Sequence, residues 1–286
     1  MTLLVRAAAA LALSDPDAKV DAVHACYADW QAGMLPVGAS VMHGGAGFPA
    51  RPELVEPDQL RARKLGSLEG RAAMIHAVCH IEFNAINLAL DALCRFPFMP
   101  VAYLDDWLRV ADEEASHFAM MRNHLRSLGF EYGDFPAHRG LWDMAEKTQG
   151  DVLDRMAMVP RLMEARGLDV TPGMQARLLA NGDAQAAALL DIIFRDEVGH
   201  VTVGNRWFRY LCAERGLDPI VAFRERLRDF DAPRHPGVMN VEARLKAGFE
   251  QAELDILVSW QQEDVRVLRA ERERKAALRE AIPSAE

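Results

Sequence analysis

Two stretches of this chain, "DEEASH" at 112–117 and "RDEVGH" at 195–200, each set a glutamate three residues ahead of a histidine, Glu114 with His117 and Glu197 with His200. In a helix that spacing puts both groups on one face, a turn apart. At steps of three and four, the stripe through the first pair runs Trp107, Ala111, Glu114, His117, Met121, Leu125, and through the second Leu190, Ile193, Glu197, His200, Gly204, Trp207, Leu211. The face that has to enter a core therefore carries ionisable groups in both segments. Single glutamates interrupt two further stripes: Glu82 among Met74, Val78, Ala85 and Ala89, and Glu164 beyond Leu153, Ala157 and Pro160.

A buried carboxylate is costly unless it is neutralised or meets a cation. Four on a shared core, together with two imidazoles, are most simply reconciled by metal. Glu82, Glu114, His117, Glu164, Glu197 and His200 make the carboxylate and imidazole set that suits a pair of iron or manganese ions, the set known from ferritin-like di-iron bundles. The expected cofactor is two metal ions, iron first, with manganese or a mixed Mn/Fe pair as the alternative. Glu114 follows Glu82 by 32 residues and Glu197 follows Glu164 by 33, so two helical hairpins would present their ligands at nearly equal depth. Pro160 should kink or end its helix and blur the facing of Glu164. His80 falls on a polar stripe with His76, Asn84, Asn87 and Asp91 and reads as non-ligating, while His124 and His138 read as surface or structural.

Helical periodicity dominates and alternating strands are absent, so the expected class is all-α. Helices are expected near 2–13 and 16–33, then at 68–95, 101–128, 139–167 and 184–215, with a short one opening at Thr171-Pro172 and a charged helical region over 241–279. The short link "FPFMP" makes the first two long helices antiparallel neighbours, and "GFEYGDFPAHRG" allows a crossover. This divides the chain into N-terminal helices with a Pro/Gly-rich segment (1–67), a four-helix bundle (68–215) and a C-terminal helical extension with a frayed tail (216–286). The formal charge of −9 argues against a nucleic-acid partner. Four cysteines with no CxxC exclude a local zinc knuckle and fit a reducing, cytoplasmic setting. No run was long enough to suggest a membrane span.

Several stretches, among them "RPELVEPDQLRARKLGSLEGRAAMIHAVCHIEFNAINLALDA", "DDWLRVADEEASHF", "YGDFPAHRGLWDMAEKT", "MVPRLMEARGLDVTPGM" and "RDEVGHVTVGNRWFRYLC", resemble the bacterial ferritin-like family catalogued as domain of unknown function 455. The resemblance implies a ferritin-like bundle with one long crossover and a di-metal centre, without a settled substrate. By analogy with di-iron enzymes of that superfamily, Glu113 and Asp196 would orient the two histidines. The expected function is an oxygen-activating di-iron oxidoreductase, hydroxylase- or oxygenase-like, whose partners are dioxygen, an unidentified small organic substrate and an unidentified electron donor, with homodimerisation open. Ferroxidase or metal storage is one alternative, and a metal-stabilised helical scaffold another. About seventy residues flank the bundle on each side, more than a storage protein needs. Met121 and Gly204, one turn beyond each histidine, stand where radical-forming relatives carry a tyrosine, and are expected to leave a channel. Tyr103 and Tyr210, on the ligand-bearing helices, lie about 15 Å or more along them from the ligands.

Overall fold

The computed structural model describes residues 1–41, 44–60, 63–234 and 237–262. Among these every regular element is helical, and the single isolated bridge pairs Leu54 with Ala137. Helices α1 (Leu3–Ala12) and α2 (Pro16–Gln31) precede the long pair α3 (Leu68–Arg95) and α4 (Val101–Ser127). Then come α5 (Gly140–Lys147), α6 (Val152–Met158), a π-helical stretch (Val159–Glu164), α7 (Arg166–Ala180), α8 (Ala184–Glu214), α9 (Pro219–Asp229) and α10 (Val241–Lys246).

The starts follow from capping chemistry. Ser67 accepts from Gly70 N to open α3, Asp15 from Ala18 N with Pro16 in the first turn to open α2, and Asp183 from Ala186 N to open α8. Asp183 also receives His124 Nε2 of α4 at 3.0 Å, so that histidine is buried and structural, tying α4 to the start of α8. Helix α3 lies along α4; α1 packs on α3 and α2 on α4, and α8 touches α4, α6, α7 and the π stretch.

The third long segment departs from its expected form. It is no continuous helix over 139–167: the Thr148 hydroxyl donates back to Met144 O and closes α5, and Asp151 accepts from Leu153 N to start α6 afresh. Pro160, lacking an N–H, then widens the winding, and Ala165 N reaches five residues back to Pro160 O. Helix α7 begins at Arg166, not at Thr171-Pro172, and holds Pro172 inside it. The Leu168 carbonyl that Pro172 cannot serve accepts instead from Asn240 Nδ2 at 3.1 Å. Helix α9 was not anticipated, although Asp218 caps it and Pro219 opens it. The C-terminal region breaks after α10 at Gly248 (φ 86°) and is helical again over 251–262; the remainder of the expected 241–279 helix and the tail lie outside the described residues.

Among the described residues α3 alone passes as a membrane span by length and composition, contrary to expectation, yet most of its surface is used inside the protein. Its polar stripe is buried too. His80 bonds to Tyr132 Oη at 2.9 Å and His138 O at 3.0 Å, His76 Nε2 accepts from Gly133 N, Asn87 accepts from Lys19 Nζ, and Asp91 pairs with Arg95 and Arg155. The N-terminal helices, the 128–139 connection and α6 thus attach to α3 through that stripe. Glu82, also buried on α3, faces elsewhere.

Candidate metal centre

Helix α3 supplies Glu82, α4 supplies Glu114 and His117, and α8 supplies Glu197 and His200. Ligand atoms of Glu82, Glu114 and His117 lie within 4.8 Å of one another, and so do those of Glu114, Glu197 and His200. Glu114 belongs to both groups. Its Oε2 is 3.3 Å from His117 Nδ1 and its Oε1 2.9 Å from His200 Nδ1, so one carboxylate spans the two imidazoles. Glu82 Oε2 stands 3.4 Å from His117 Nδ1, and Glu197 Oε2 stands 3.8 Å from His200 Nδ1. The two rings are 5.8 Å apart between centroids. Glu164, at the end of the π stretch, joins neither group, but it interacts electrostatically with Glu114, His200 and Glu197 and so borders the same cluster.

The outer nitrogen of each ring is held from the opposite helix. His117 Nε2 meets Asp196 Oδ2 of α8 at 3.2 Å, and His200 Nε2 meets Glu113 Oε2 of α4 at 2.7 Å. Arg109 grips Glu113 at 2.9 and 3.1 Å, and Arg195 pairs with Asp196 at 3.1 Å. An imidazole that gives its Nε2 proton to a carboxylate turns the Nδ1 lone pair the other way, here toward Glu114. The crossing follows from the sequence: Glu113 and Asp196 directly precede Glu114 and Glu197, the candidate ligands, one residue around the helix toward the neighbour.

The carboxylates outnumber the imidazoles, and without an added cation the cluster balances its charge by holding protons. Burial, and then the neighbouring Glu114, push the Glu82 carboxyl up to about 8 and the Glu197 carboxyl well above the usual range, and the same causes take Glu164 to about 7. Burial opposes ionisation of Glu114 as well, but His200 and His117 outweigh it and hold this group well below the ordinary carboxylate range. Against the effect of burial, Glu114 and Glu82 raise His117 to about 12, and Glu114 and Glu113 raise His200 well above its usual value. Protons are therefore retained where cations would otherwise sit. Glu82 Oε2, Glu197 Oε2 and His200 Nδ1 are buried without a hydrogen bond, their closest approaches not being directed as one. Orphaned polar atoms of this kind, converging on one spot, fit divalent metal.

The expected channel is closed on one side. A Cβ on Gly204 would stand 2.5 Å from Pro160 Cβ, so the proline ring fills the space that glycine leaves, and Met121 is fully buried core. Tyr103 is buried and Tyr210 partly exposed. Sequence reasoning missed Tyr132, which the 128–139 connection brings against Phe118 and Phe83 at ring distances of 5.2 and 5.7 Å. Those phenylalanines directly follow His117 and Glu82, and their place on the helices was the available signal. Cys26, Cys79, Cys94 and Cys212 are free and buried.

The profile of a family described as "Protein of unknown function (DUF455)" matches residues 12–255. An uncharacterized protein of Haemophilus influenzae is 48% identical over 224 residues, covering 76% of this chain and 78% of the relative. No solved structure matches.

Proposed function

The chain belongs to the DUF455 family of proteins of unknown function, and because that designation carries no activity, we propose from the site itself that the protein is an oxygen-activating di-iron oxidoreductase of the hydroxylase or oxygenase type, built on a ferritin-like four-helix bundle and acting on a small organic substrate. The observation that carries the reading is Glu114 spanning His117 and His200, each of which is held by a carboxylate of the opposite helix. Glu82, Glu114, His117, Glu197 and His200 would hold the metals, with Glu164 completing the set on the α8 side. Bound there, two iron ions would supply the redox chemistry of dioxygen reduction and substrate oxidation.

The chain's own residues prepare the site. Asp196 and Glu113 fix both rings so that Nδ1 points inward, and against the effect of burial His200 and then Arg109 keep Glu113 ionised for that task. The pairs are 26% and 32% exposed at their carboxylates while the imidazoles are 1% exposed, so water is kept from the ligands but protons have a short way out. Helices α1 and α2 cover α3 and α4 on their outer side. This covering favours the enzyme over a storage shell, in which the bundle helices themselves face neighbouring subunits.

The test is iron loading under anaerobic conditions followed by oxygen. The reading expects about two irons per chain in a small oligomer, with rapid oxygen uptake. Many irons per chain in a large cage would establish storage, and metal that takes no part in oxygen consumption would establish a scaffold. Comparing metabolites of a deletion strain and its parent would then identify the substrate.

A further inference from the structure

The π stretch that ends in Glu164 is fastened from outside the bundle. Arg161, on that stretch, is fully buried, its guanidinium stacked on Phe208 of α8, Phe223 of α9 and Phe249 at 4.0, 4.3 and 5.0 Å. Its Nε donates to Asn205 Oδ1 at 2.6 Å and its Nη2 to Glu253 Oε1. Glu253, 1% exposed, also receives Arg209 Nη2 at 2.7 Å and caps Glu250 N. Asn205 passes the connection on, its Nδ2 donating to Ala247 O. One residue earlier, Pro160 fills the notch at Gly204. The wide turn is thus pinned at two successive positions, by a ring against α8 and by an ion pair to the segment after α10.

A π turn is an uncommon winding that persists where tertiary contacts enforce it. Relaxing it to α-helix would rotate each later residue by roughly 100°, one residue's share of a turn, and would carry Glu164 off the face that borders Glu114 and Glu197. We propose that Arg161 and Glu253 are positioning residues for the metal centre: the segment at 247–257 holds the π turn in place and so delivers Glu164 to the α8 side of the site. The proposal rests on the di-metal reading above and adds a part of the chain that touches no ligand. It gives the C-terminal extension a role in the site, since docking of that extension and occupancy of the second metal position become coupled.

The probe is Mn(II), titrated calorimetrically into the full chain. Glu253→Gln keeps shape and hydrogen bonding but removes the charge, and Arg161→Met fills the aromatic cage without one. Each variant should keep its helix content and the affinity of one site, while the other loses about tenfold or more, the range typical of residues that support a ligand from behind. Unchanged affinity at both sites in a folded variant overturns the proposal, and so does equal weakening of both, the sign of a merely structural role. A measurement on the unaltered chain stands whether or not the variants fold. Coupling is reciprocal, so Mn(II) should slow amide exchange at 249–257 as well as at 159–164, and protection that stops at 164 overturns the proposal. A wild-type chain that fails to bind two ions overturns the underlying reading first and this one with it; two ions bound without the coupling overturn this one alone.

Discussion

Alanine at two glycines of the same helix should act in opposite directions. At Gly204 a new Cβ would meet Pro160 Cβ at 2.5 Å and Cγ at 2.7 Å, where carbon atoms prefer about 3.5–4.0 Å. The obstacle is a ring fixed to backbone, so α8 and the π stretch must separate by about 1 Å. Overpacking of this kind costs about 2–3 kcal/mol, of which the helix propensity of alanine returns about 1, leaving a net loss of about 1–2 kcal/mol. Gly199, five residues upstream, has nothing within 4 Å of its would-be Cβ. Gly199→Ala should therefore only gain, by about 0.5–1 kcal/mol. The assay is urea unfolding of the metal-free protein, backed by thermal melts in which each kcal/mol moves Tm by about 2–4 °C. Equal stabilisation by both substitutions would refute the reasoning, because it would mean that Pro160 yields freely and does not lock the π turn to α8.

Three further outcomes are expected. His117→Ala or Glu197→Ala should lose bound metal and keep its helices, because removing a ligand also relieves charge crowding; equal metal occupancy in variant and wild type, read by elemental analysis, would contradict the ligand assignment. Glu82 keeps its proton in the folded chain up to about 8 but loses it near 4.5 when unfolded, so the folded state binds the extra proton between those values and stability falls there as pH rises; metal-free Glu82→Gln should gain on wild type across pH 4.5–8 in urea midpoints, and a constant gap would contradict this. Oxygen added to the reduced iron-loaded protein should give no long-lived tyrosyl signal in electron paramagnetic resonance, since Met121 and Gly204 stand one turn beyond the two histidines and Tyr132 packs on Phe83 and Phe118; a strong signal abolished by Tyr132→Phe would place the protein among radical generators.

The site was legible where its logic is local. Glu114 with His117 and Glu197 with His200 announce themselves because a one-turn spacing on an apolar stripe fixes their facing before any neighbour is known, and the carboxylates at 113 and 196 are fixed with them. The long helices α3, α4 and α8 were legible for the same reason, from periodicity, with Ser67 and Asp183 capping α3 and α8 in agreement. What escaped depends on distant partners. Pro160 signals a disturbance, but only its contact with Gly204 and the anchoring of Arg161 turn that disturbance into a π stretch instead of a helix end. Arg161 itself looks like a surface residue in "VPRLME"; its burial is decided by Phe208, Phe223, Phe249 and Glu253, up to 92 residues away. Tyr132 sits in an irregular connection, for which periodicity provides no facing.

The central claim is that two metal ions sit among these ligands, and anomalous diffraction tests it most directly. Crystals of iron- or manganese-loaded protein, measured on both sides of each metal's absorption edge, should show two peaks between His117 and His200, on either side of Glu114. Metal-loaded crystals with no anomalous peak between those two histidines would contradict the account.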